Sequence, residues 1–462
     1  MPSHQEYAAA LHSVGFSPAN ASRKAATFVQ CDAGLDAMQA RADGRVSAWA
    51  PGRIELFGKH TDYAGGRSLL TAVERGFCVR AAPRDDQRIR VTDPAAGIAC
   101  EMTFNDTDAA LRGHWSNYVA TVVRRIALNF PTARTGVDIA FVSDLPLAAG
   151  VSSSTALMIG IFLAVAAVNR LDETEAWKES LPGLPELAGY LGAMEMGGPF
   201  GALAGLPGVG ILGGSQDQTA ILCSQPAHVV DFAWMPVRHV GTYGLAPAYR
   251  FVIASSGVVA EKSGAARDEY NRASLMVRHL VASWNGSTGR EDRSLAAAME
   301  SDAGAPDRLR NMIDTIATET FSASSLRLRL DQFLLETYTL IPAAARAFEA
   351  QDWIALGEVT ARSQRAAEEW LGNQIPETVA LVRLAREHGA IAASAFGAGF
   401  GGSVWALVGS EGADAFRTAW AESYRREFEV ASTTAMFFTT AAGPAAQQWA
   451  DAPGGPSLLH RG

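Results

Sequence analysis

The chain has 462 residues, of which 48% are hydrophobic and 19% are charged, so it is long enough to bury a large core and to form two or more domains. Its 39 basic and 48 acidic residues give a formal net charge of −9, with no long block of like charge. This balance argues against a nucleic-acid or anionic-membrane surface and favours small-molecule partners. No basic segment followed by an apolar one opens the sequence, and we expect a cytoplasmic protein.

In chain order, the hydrophobic pattern predicts a mixture of helices and strands. Alanines at helical spacing indicate one or two helices up to about residue 40, and short apolar runs from 45 to 81 indicate a meander of strands. An amphipathic helix is predicted over 115–127. A loop of small residues over 145–156 then leads into a strongly apolar helix over 157–168.

A glycine-rich stretch interrupts the middle of the chain. Eight of the eighteen residues from 197 to 214 are glycine, which predicts a loop that is either mobile or shaped by a ligand.

The apolar pattern starts again with a buried strand at about residue 251. We therefore predict a domain boundary between residues 235 and 248, which gives an N-terminal domain, 1–240, and a C-terminal domain, 241–462. The tail after Gly443 is rich in glycine, proline and alanine and is predicted to fray.

The most informative segment is 50–66, which has the sequence APGRIELFGKHTDYAGG. It places charged, imidazole and hydroxyl groups between glycines, an arrangement that suits a polyhydroxylated ligand. Its pattern G-R-x-x-L-x-G-x-H-T-D-Y-x-G-G resembles the sugar-binding signature of galactokinases, a branch of the GHMP small-molecule kinases. Lys59 stands where those enzymes carry a glutamate.

Two further segments resemble signatures of the same family. The loop 145–156 matches P-x-x-x-G-[LV]-S-S-S-[AT]-A, and its backbone N–H groups at a helix start can bind phosphate, although taken alone such a loop is more often a helix cap. The glycine turn 396–403 would alone most often be a tight hairpin. Three motifs in the correct order are far more specific than any one, and the chain is identified as a member of the galactokinase-like GHMP kinases from about residue 45 to 440.

This resemblance implies a fold, a reaction and a catalytic pair. The fold would be α+β in two lobes with the active site in the cleft between them, and the γ-phosphate of ATP would pass directly to a sugar hydroxyl, with the anomeric hydroxyl expected. Asp217, in a G-x-x-D-Q segment, is expected to be the catalytic base, and Arg53 to stabilise its ionised form and the charge on the transferred phosphate. Without the resemblance, Asp217 would be a turn residue that caps a helix and Arg53 half of a surface ion pair.

The resemblance also assigns binding residues. The expected sugar-binding residues are Lys59, His60, Asp62, Gly214 and Tyr270. The expected nucleotide-binding residues are Trp115, Gly150, Ser152, Ser153, Ser154 and Gly399. For Trp115, stacking on adenine is weighed against simple packing in the core.

Transfer from ATP needs Mg²⁺, for which Ser154 and Glu195 are the expected ligands. Glu195 precedes Asp217 by twenty-two positions (195 to 217), whereas the family usually has about a dozen. An exposed helical glutamate is therefore the alternative for Glu195.

Lys59 leaves the substrate open. In galactokinases the acidic residue at this position helps to hold the far end of the sugar, around the C6 hydroxyl. A lysine cannot accept a hydrogen bond but can pair with a carboxylate, so one hypothesis is a hexuronic acid such as galacturonate, phosphorylated at C1. In the alternative, Lys59 pairs with an acid such as Glu55 or Asp62 and the substrate is a neutral aldose, as in galactokinase proper.

A non-catalytic protein that binds sugar and ATP and regulates transcription is a third possibility. It is disfavoured because the serine loop and the expected catalytic pair, Asp217 and Arg53, are all present. Small-molecule sugar and ATP are thus the expected partners, and the sequence gives no indication of the oligomeric state.

Overall fold

The computed structural model describes residues 2–106, 114–146, 150–258, 265–450, 457 and 459, without the side chains of 265–268. Two sheets, one of eight strands and one of four, are covered by helices. The predicted α+β fold is confirmed.

The larger sheet contains β1 (Val46–Phe57), β2 (Arg67–Pro83), β3 (Arg88–Asp93), β4 (Ile98–Thr103), β5 (Val137–Ser143), β6 (His228–Ala233), β7 (Arg238–Gly244) and β12 (Gln447–Ala450). Its strand order is β12-β1-β2-β5-β3-β4, and β6 pairs with both β2 and β7. The smaller sheet contains β8 (Tyr249–Ser255), β9 (Ala392–Ala395), β10 (Ser403–Gly409) and β11 (Met436–Thr440), in the order β11-β8-β10-β9.

The α-helices are α1 (His4–Ser13), α2 (Pro18–Ala37), α3 (Ser116–Asn129), α4 (Ser153–Val168), α5 (Glu175–Ser180), α6 (Leu184–Met196), α7 (Gln216–Cys223), α8 (Ala265–Thr288), α9 (Leu295–Met299), α10 (Ala305–Ile316), α11 (Ala323–Leu335), α12 (Ile341–Ala350), α13 (Trp353–Ala366), α14 (Pro376–Glu387) and α15 (Ala413–Glu427). Two π-helical turns, Glu336–Leu340 and Ala367–Leu371, extend α11 and α13.

The larger sheet has helices on both faces because successive residues of its strands point in opposite directions. Trp49 faces α1 and α2, whereas its neighbour Ala50 faces α4. Helix α4 is apolar around its whole circumference, as expected for a helix buried on every side. A Cβ on Gly160 would lie 2.9 Å from Val79 Cγ2, so a glycine there lets α4 lie close against β2.

Strand β1 is distorted where it meets the serine loop. Its pairing with β2 shifts between Pro51 and Arg53, as expected where a proline cannot donate to the ladder. The backbone N–H of Arg53 instead donates to the carbonyl of Val151 at 3.3 Å. The irregularity therefore attaches the serine loop to the strand that carries Arg53.

The predicted frayed tail after Gly443 is wrong for its first part. Residues Gln447–Ala450 form β12, which pairs antiparallel with β1 from Val46 to Trp49. Trp449 is buried and its ring lies 6.5 Å from that of Phe28, so an apolar side chain anchors this end of the chain. The remainder of the predicted tail, apart from 457 and 459, lies outside the described residues.

The chain passes from the larger to the smaller sheet between β7 and β8, and β12 returns to the larger one. The division into domains 1–240 and 241–462 remains a prediction. Helices α8 to α11 pack around an apolar cluster of their own, which also contains Ala64 from the β1–β2 connection. In the described part of the chain, no helix is both long and apolar enough to cross a membrane.

Candidate active site

A cavity of about 360 Å³ collects side chains from both sheets and from the helices between them. Strand β1, the β1–β2 connection and the serine loop contribute from the larger sheet, and the glycine turn after β9 contributes from the smaller one. Nearly all of the predicted site residues line it, which brings together positions that are some 350 residues apart in sequence.

Asp217 and Arg53 form an ion pair inside this cavity. Arg53 Nε donates to Asp217 Oδ1 at 2.8 Å, and its Nη1 donates to the carbonyl of Gly150 at 2.6 Å. The hydroxyl of Ser152 donates to the other carboxylate oxygen at 2.5 Å. Burial lowers the pKa of Arg53, but the Asp217 and Glu55 carboxylates outweigh that effect and raise it, so the guanidinium stays charged.

Asp62 lies at one end of the cavity, held by backbone donors. Its Oδ1 accepts from the N–H of Tyr63 at 2.8 Å, and its Oδ2 accepts from the N–H of Gln216 at 3.3 Å. A Cβ on Gly214 would lie 2.5 Å from Asp62 Oδ2, so glycine is required for this approach. Burial, and then repulsion from Asp217, raises the pKa of Asp62 to about 6.

His60 and Tyr270 lie beside Asp62, with ring centroids 5.0 Å apart. His60 Nδ1 is 2.6 Å from the Tyr63 hydroxyl, whereas the buried Nε2 has no partner among the described residues. Burial, together with the charge of Arg329, lowers the pKa of His60 to about 3, so its imidazole is neutral at pH 7. A neutral imidazole has one donor and one acceptor nitrogen, which suits a hydroxyl partner.

Lys59, in contrast, is not among the residues that line the cavity. Its ammonium is buried and donates to Ser363 Oγ at 2.9 Å, and the two carboxylate oxygens of Glu336 lie 2.9 and 3.0 Å from the same hydroxyl. The structure therefore does not support the expected sugar contact of Lys59. In the described residues Lys59 also forms no ion pair with Glu55 or Asp62, the other alternative from the sequence.

Three polar residues spaced along α11 and its π-helical turn bind the backbone of residues 58–60, which we call the sugar loop. Gly58 N–H donates to Glu336 Oε1 at 2.9 Å, and the carbonyls of residues 59 and 60 accept from Gln332 at 3.1 Å and Arg329 at 2.5 Å. This support keeps His60 at φ +56°. These residues were not predicted from the sequence, although polar residues within the mainly apolar buried face of α11 were the available signal.

The other end of the cavity is apolar. Phe77, Trp115, Tyr118 and Leu157 line it, and the Trp115 ring packs edge-on against Phe141 with centroids 5.9 Å apart. Trp115 thus belongs both to the cavity wall and to the packing beneath it. Flat apolar surfaces of this kind suit a nucleobase.

The serine loop and the glycine turn face each other between the two ends. Ser153 and Ser154 begin α4 and line the cavity, and a Cβ on Gly150 would lie 3.7 Å from Gly402 Cα. Gly399 has φ +68°, and a Cβ there would lie 2.2 Å from the carbonyl of Asn373. Residues 147–149 of the serine loop lie outside the described residues.

Glu195 lines the same cavity and is 7% exposed, so the alternative of an exposed helical glutamate is wrong. Its Oε2 accepts from Thr155 Oγ1 at 3.0 Å and from Gln218 Nε2 at 2.6 Å. Gln218 Oε1 is buried without a partner among the described residues, and Ser154 adds a hydroxyl. This oxygen-rich group fits Mg²⁺, which prefers oxygen ligands and completes its shell with phosphate oxygens and water.

The glycine-rich loop explains the unusual spacing between Glu195 and Asp217. The loop folds back onto the end of α6, where Val209 N–H donates to the Glu195 carbonyl at 2.9 Å. A Cβ on Gly208 would lie 2.1 Å from that carbonyl oxygen, so only glycine permits the return. The extra residues therefore do not separate α6 from α7.

Comparison with known families agrees with this geometry. The galactokinase galactose-binding signature matches residues 38–83, the GHMP kinases N terminal domain matches 117–185, and the GHMP kinases C terminal model matches 344–426. The predicted resemblance to the galactokinase-like GHMP kinases is therefore confirmed.

Relatives of this kinase are similar along most of their length. A galactokinase of Actinobacillus pleuropneumoniae is 26% identical over 399 residues, which cover 84% of this chain and 91% of its own. A galactokinase of Chloroflexus aurantiacus is 26% identical over 388 residues, which cover 82% of this chain and 87% of its own. Lactococcus lactis galactokinase, solved in complex with galactose, has a TM-score of 0.72 at 20% identity and covers 90% of this chain and 98% of its own. Methanococcus jannaschii mevalonate kinase has a TM-score of 0.51 at 13% identity, covering 87% and 99%.

The predicted enzyme class is confirmed: this galactokinase-like sugar kinase is a phosphotransferase with an alcohol group as acceptor. Membership implies ATP as the phosphoryl donor and a sugar as the acceptor. The roles of individual residues and the identity of the sugar require separate arguments.

Proposed function

We propose that this kinase transfers the γ-phosphate of ATP to the anomeric hydroxyl of a neutral aldohexose, with D-galactose as the first candidate. The observation that carries the proposal is that the Asp217–Arg53 pair lines one cavity together with polar residues of the sugar motif and with aromatic residues. A relative covering most of the chain was solved with galactose bound.

In the proposed reaction, Asp217 accepts the proton of the attacking hydroxyl as the hydroxyl oxygen bonds to the γ-phosphorus of ATP. The bond from that phosphorus to the β–γ bridging oxygen breaks, and ADP leaves. Arg53 holds the carboxylate by its Nε, while the Ser152 hydroxyl binds the second oxygen, so the base is fixed between two donors. The charged guanidinium also stabilises negative charge that develops on the phosphoryl oxygens. No covalent enzyme intermediate is needed.

The nucleotide would occupy the apolar end, with the base against Trp115 and the phosphates between the serine loop and the glycine turn. The N-terminus of α4 offers free backbone N–H groups and the positive end of its dipole to the phosphates. Ser154 and Glu195 would hold Mg²⁺, with Gln218 as a further oxygen donor. The ion, when bound, neutralises charge on the phosphates.

A neutral sugar is proposed because the cavity offers little to an acidic one. Among the described residues that line it, Arg53 is the one lysine or arginine, and it is already paired with Asp217. Glu55, Asp62, Glu195 and Asp217 line the same cavity. A hexuronate would bring its carboxylate towards these acids, and Lys59 donates to Ser363 instead.

The test is Mg²⁺- and ATP-dependent phosphorylation of D-galactose, L-arabinose, N-acetylgalactosamine, D-galacturonate and D-glucuronate. Phosphorus NMR of the product distinguishes an anomeric phosphate from a phosphate at another carbon. We expect turnover of a neutral sugar at C1. The Asp217→Ala variant is the control and should be inactive. Turnover of a uronate alone would overturn the neutral-sugar proposal, and sugar binding without turnover by the wild type would indicate a regulatory protein.

A further inference from the structure

A second carboxyl group in the cavity is explained neither by the catalytic pair nor by the predicted sugar shell. Glu55 follows Arg53 by two residues on β1, so both side chains leave the same face of the strand. The Glu55 side chain lines the cavity and its residue is 3% exposed. A buried carboxyl group needs hydrogen-bond partners.

Within the described part of the chain, one oxygen of this carboxyl group has a hydrogen-bond partner and the other has none. Glu55 Oε2 accepts from Gln216 Nε2 at 2.6 Å, whereas Oε1 is buried without a partner among the described residues. His60 Nε2 and Gln218 Oε1, on two other residues that line this cavity, are also buried without a partner among the described residues. Three unsatisfied atoms in one cavity indicate ligands with several hydrogen-bonding groups.

The glycine turn packs directly against the Glu55 carboxyl group. A Cβ on Gly397 would lie 2.3 Å from Glu55 Oε1 and 2.6 Å from Oε2, so any side chain at position 397 would collide with the carboxyl group. Burial raises the pKa of Glu55 to about 7, against the opposing charges of Arg53 and Lys59. Near neutral pH the group can therefore accept a hydrogen bond as the carboxylate or donate one as the acid.

We propose that Glu55 is a sugar-binding residue that determines specificity, with its Oε1 hydrogen-bonded to one ring hydroxyl of the substrate. The proposal deepens the proposed sugar-kinase function and rests on it. A polar sugar hydroxyl there satisfies the buried oxygen, and an analogue that lacks this hydroxyl leaves it unsatisfied. The rejection of such an analogue is therefore a property of Glu55.

Two substitutions separate sugar binding from a structural role. Glu55→Ala removes the group. Glu55→Gln keeps the size, but the Gln216 amide still needs an acceptor, so the new amide would turn its oxygen to Gln216 and its NH₂ to the sugar. Glu358→Gln, at an exposed position of α13, is the matched control.

The experiment measures kcat/KM for galactose and for its 2-, 3-, 4- and 6-deoxy analogues with each variant. We expect the wild type to reject one analogue by roughly a hundredfold or more. Glu55→Ala should reduce that one ratio at least tenfold and leave the ratios for the other analogues unchanged. Ratios that all stay at wild-type values, with or without a general loss of rate, would make Glu55 structural and overturn the proposal.

Calorimetric binding of the same sugars distinguishes this proposal from the proposed function. If the wild type binds these sugars without phosphorylating them, the kinase proposal fails but a selective loss of one binding difference in Glu55→Ala still supports the role of Glu55. If none of these sugars binds, both proposals fail. Should Glu55→Ala not fold, Glu55→Gln decides, because exchange of an acceptor for a donor moves the same ratio.

Discussion

Arg53 and Lys59 are two buried cations on one stretch of chain, and they serve different regions of the molecule. Arg53 points into the cavity and pairs directly with Asp217. Lys59 points away from it and reaches the Glu336 carboxylate through the Ser363 hydroxyl. A position inside a ligand-binding motif can thus be used entirely for support.

The difference arises from the backbone between them. Arg53 lies on a strand whose pleat fixes the direction of its side chain. Lys59 follows Gly58, whose φ of +107° turns the chain out of the strand, and the Lys59 ammonium donates to the Ser363 hydroxyl on α13. A cation facing the reaction should therefore affect rate, and one facing the helices should affect stability.

The largest effect expected on the reaction side comes from removal of the base. Asp217→Asn should lower kcat by about 10²–10⁴-fold, because the amide cannot accept the hydroxyl proton. Its melting temperature should stay near that of the wild type, measured by circular dichroism. Asp307→Asn, at an exposed helical position, is the control, and kcat within threefold of wild type for Asp217→Asn would remove the proposed base.

On the support side, Lys59→Met should destabilise the protein by about 1–3 kcal/mol, because it removes the buried donor to Ser363, the hydroxyl that links Lys59 to the Glu336 carboxylate. Urea denaturation measures this free energy of unfolding. Adding Glu336→Gln should restore part of the loss, and Lys178→Met, an exposed lysine, should cost less than about 1 kcal/mol. A Lys59→Met protein as stable as the control would contradict the supporting role.

Glu55 lies within the electrostatic influence of both Arg53 and Lys59, and its ionisation should affect the stability of the protein. Its pKa is raised from 4.5 to about 7, so the folded state holds the proton more tightly than the unfolded state does. The resulting stabilisation is complete below pH 4.5 and is lost as the pH rises through about 7, by roughly 3 kcal/mol.

Glu55→Gln cannot ionise and should lack this loss. The difference in free energy of unfolding between the wild type and Glu55→Gln, measured in urea at pH 5 and pH 8, should therefore shift in favour of the variant at the higher pH. Glu358→Gln should show the wild-type pH dependence. A parallel pH dependence for Glu55→Gln would show that Glu55 ionises normally.

The smallest expected effect is on sugar preference. Since Lys59 makes no contact with the cavity, Lys59→Glu should keep the ratio of kcat/KM for galactose and galacturonate within about twofold, provided that it is assayed where the variant is folded. A tenfold change in this ratio would indicate that Lys59 contacts the substrate.

The resemblance of three motifs to those of galactokinases predicted the residues of the candidate site. The glycines, serines and acids of the three motifs lie on strands, turns and helix starts whose conformations are encoded nearby, and the structure brings them into one cavity. The sequence was therefore sufficient to name Asp217, Arg53, Asp62 and Tyr270 as candidate site residues.

Features that depend on partners distant in sequence could not be predicted. The direction of Lys59 depends on Ser363, which is 304 positions away, and the support of the sugar loop depends on α11. The return of β12 to β1 likewise depends on the packing of Trp449 against residues near the start of the chain. The apolar periodicity of each segment contains no information on these pairings.

The most direct test of the whole account is a crystal structure with a neutral sugar and a non-hydrolysable ATP analogue. We predict one Asp217 oxygen within hydrogen-bond distance of the anomeric hydroxyl, with Arg53 beside it and Lys59 still on Ser363. A sugar contacted by the Lys59 ammonium, or one whose anomeric hydroxyl points away from Asp217, would contradict it.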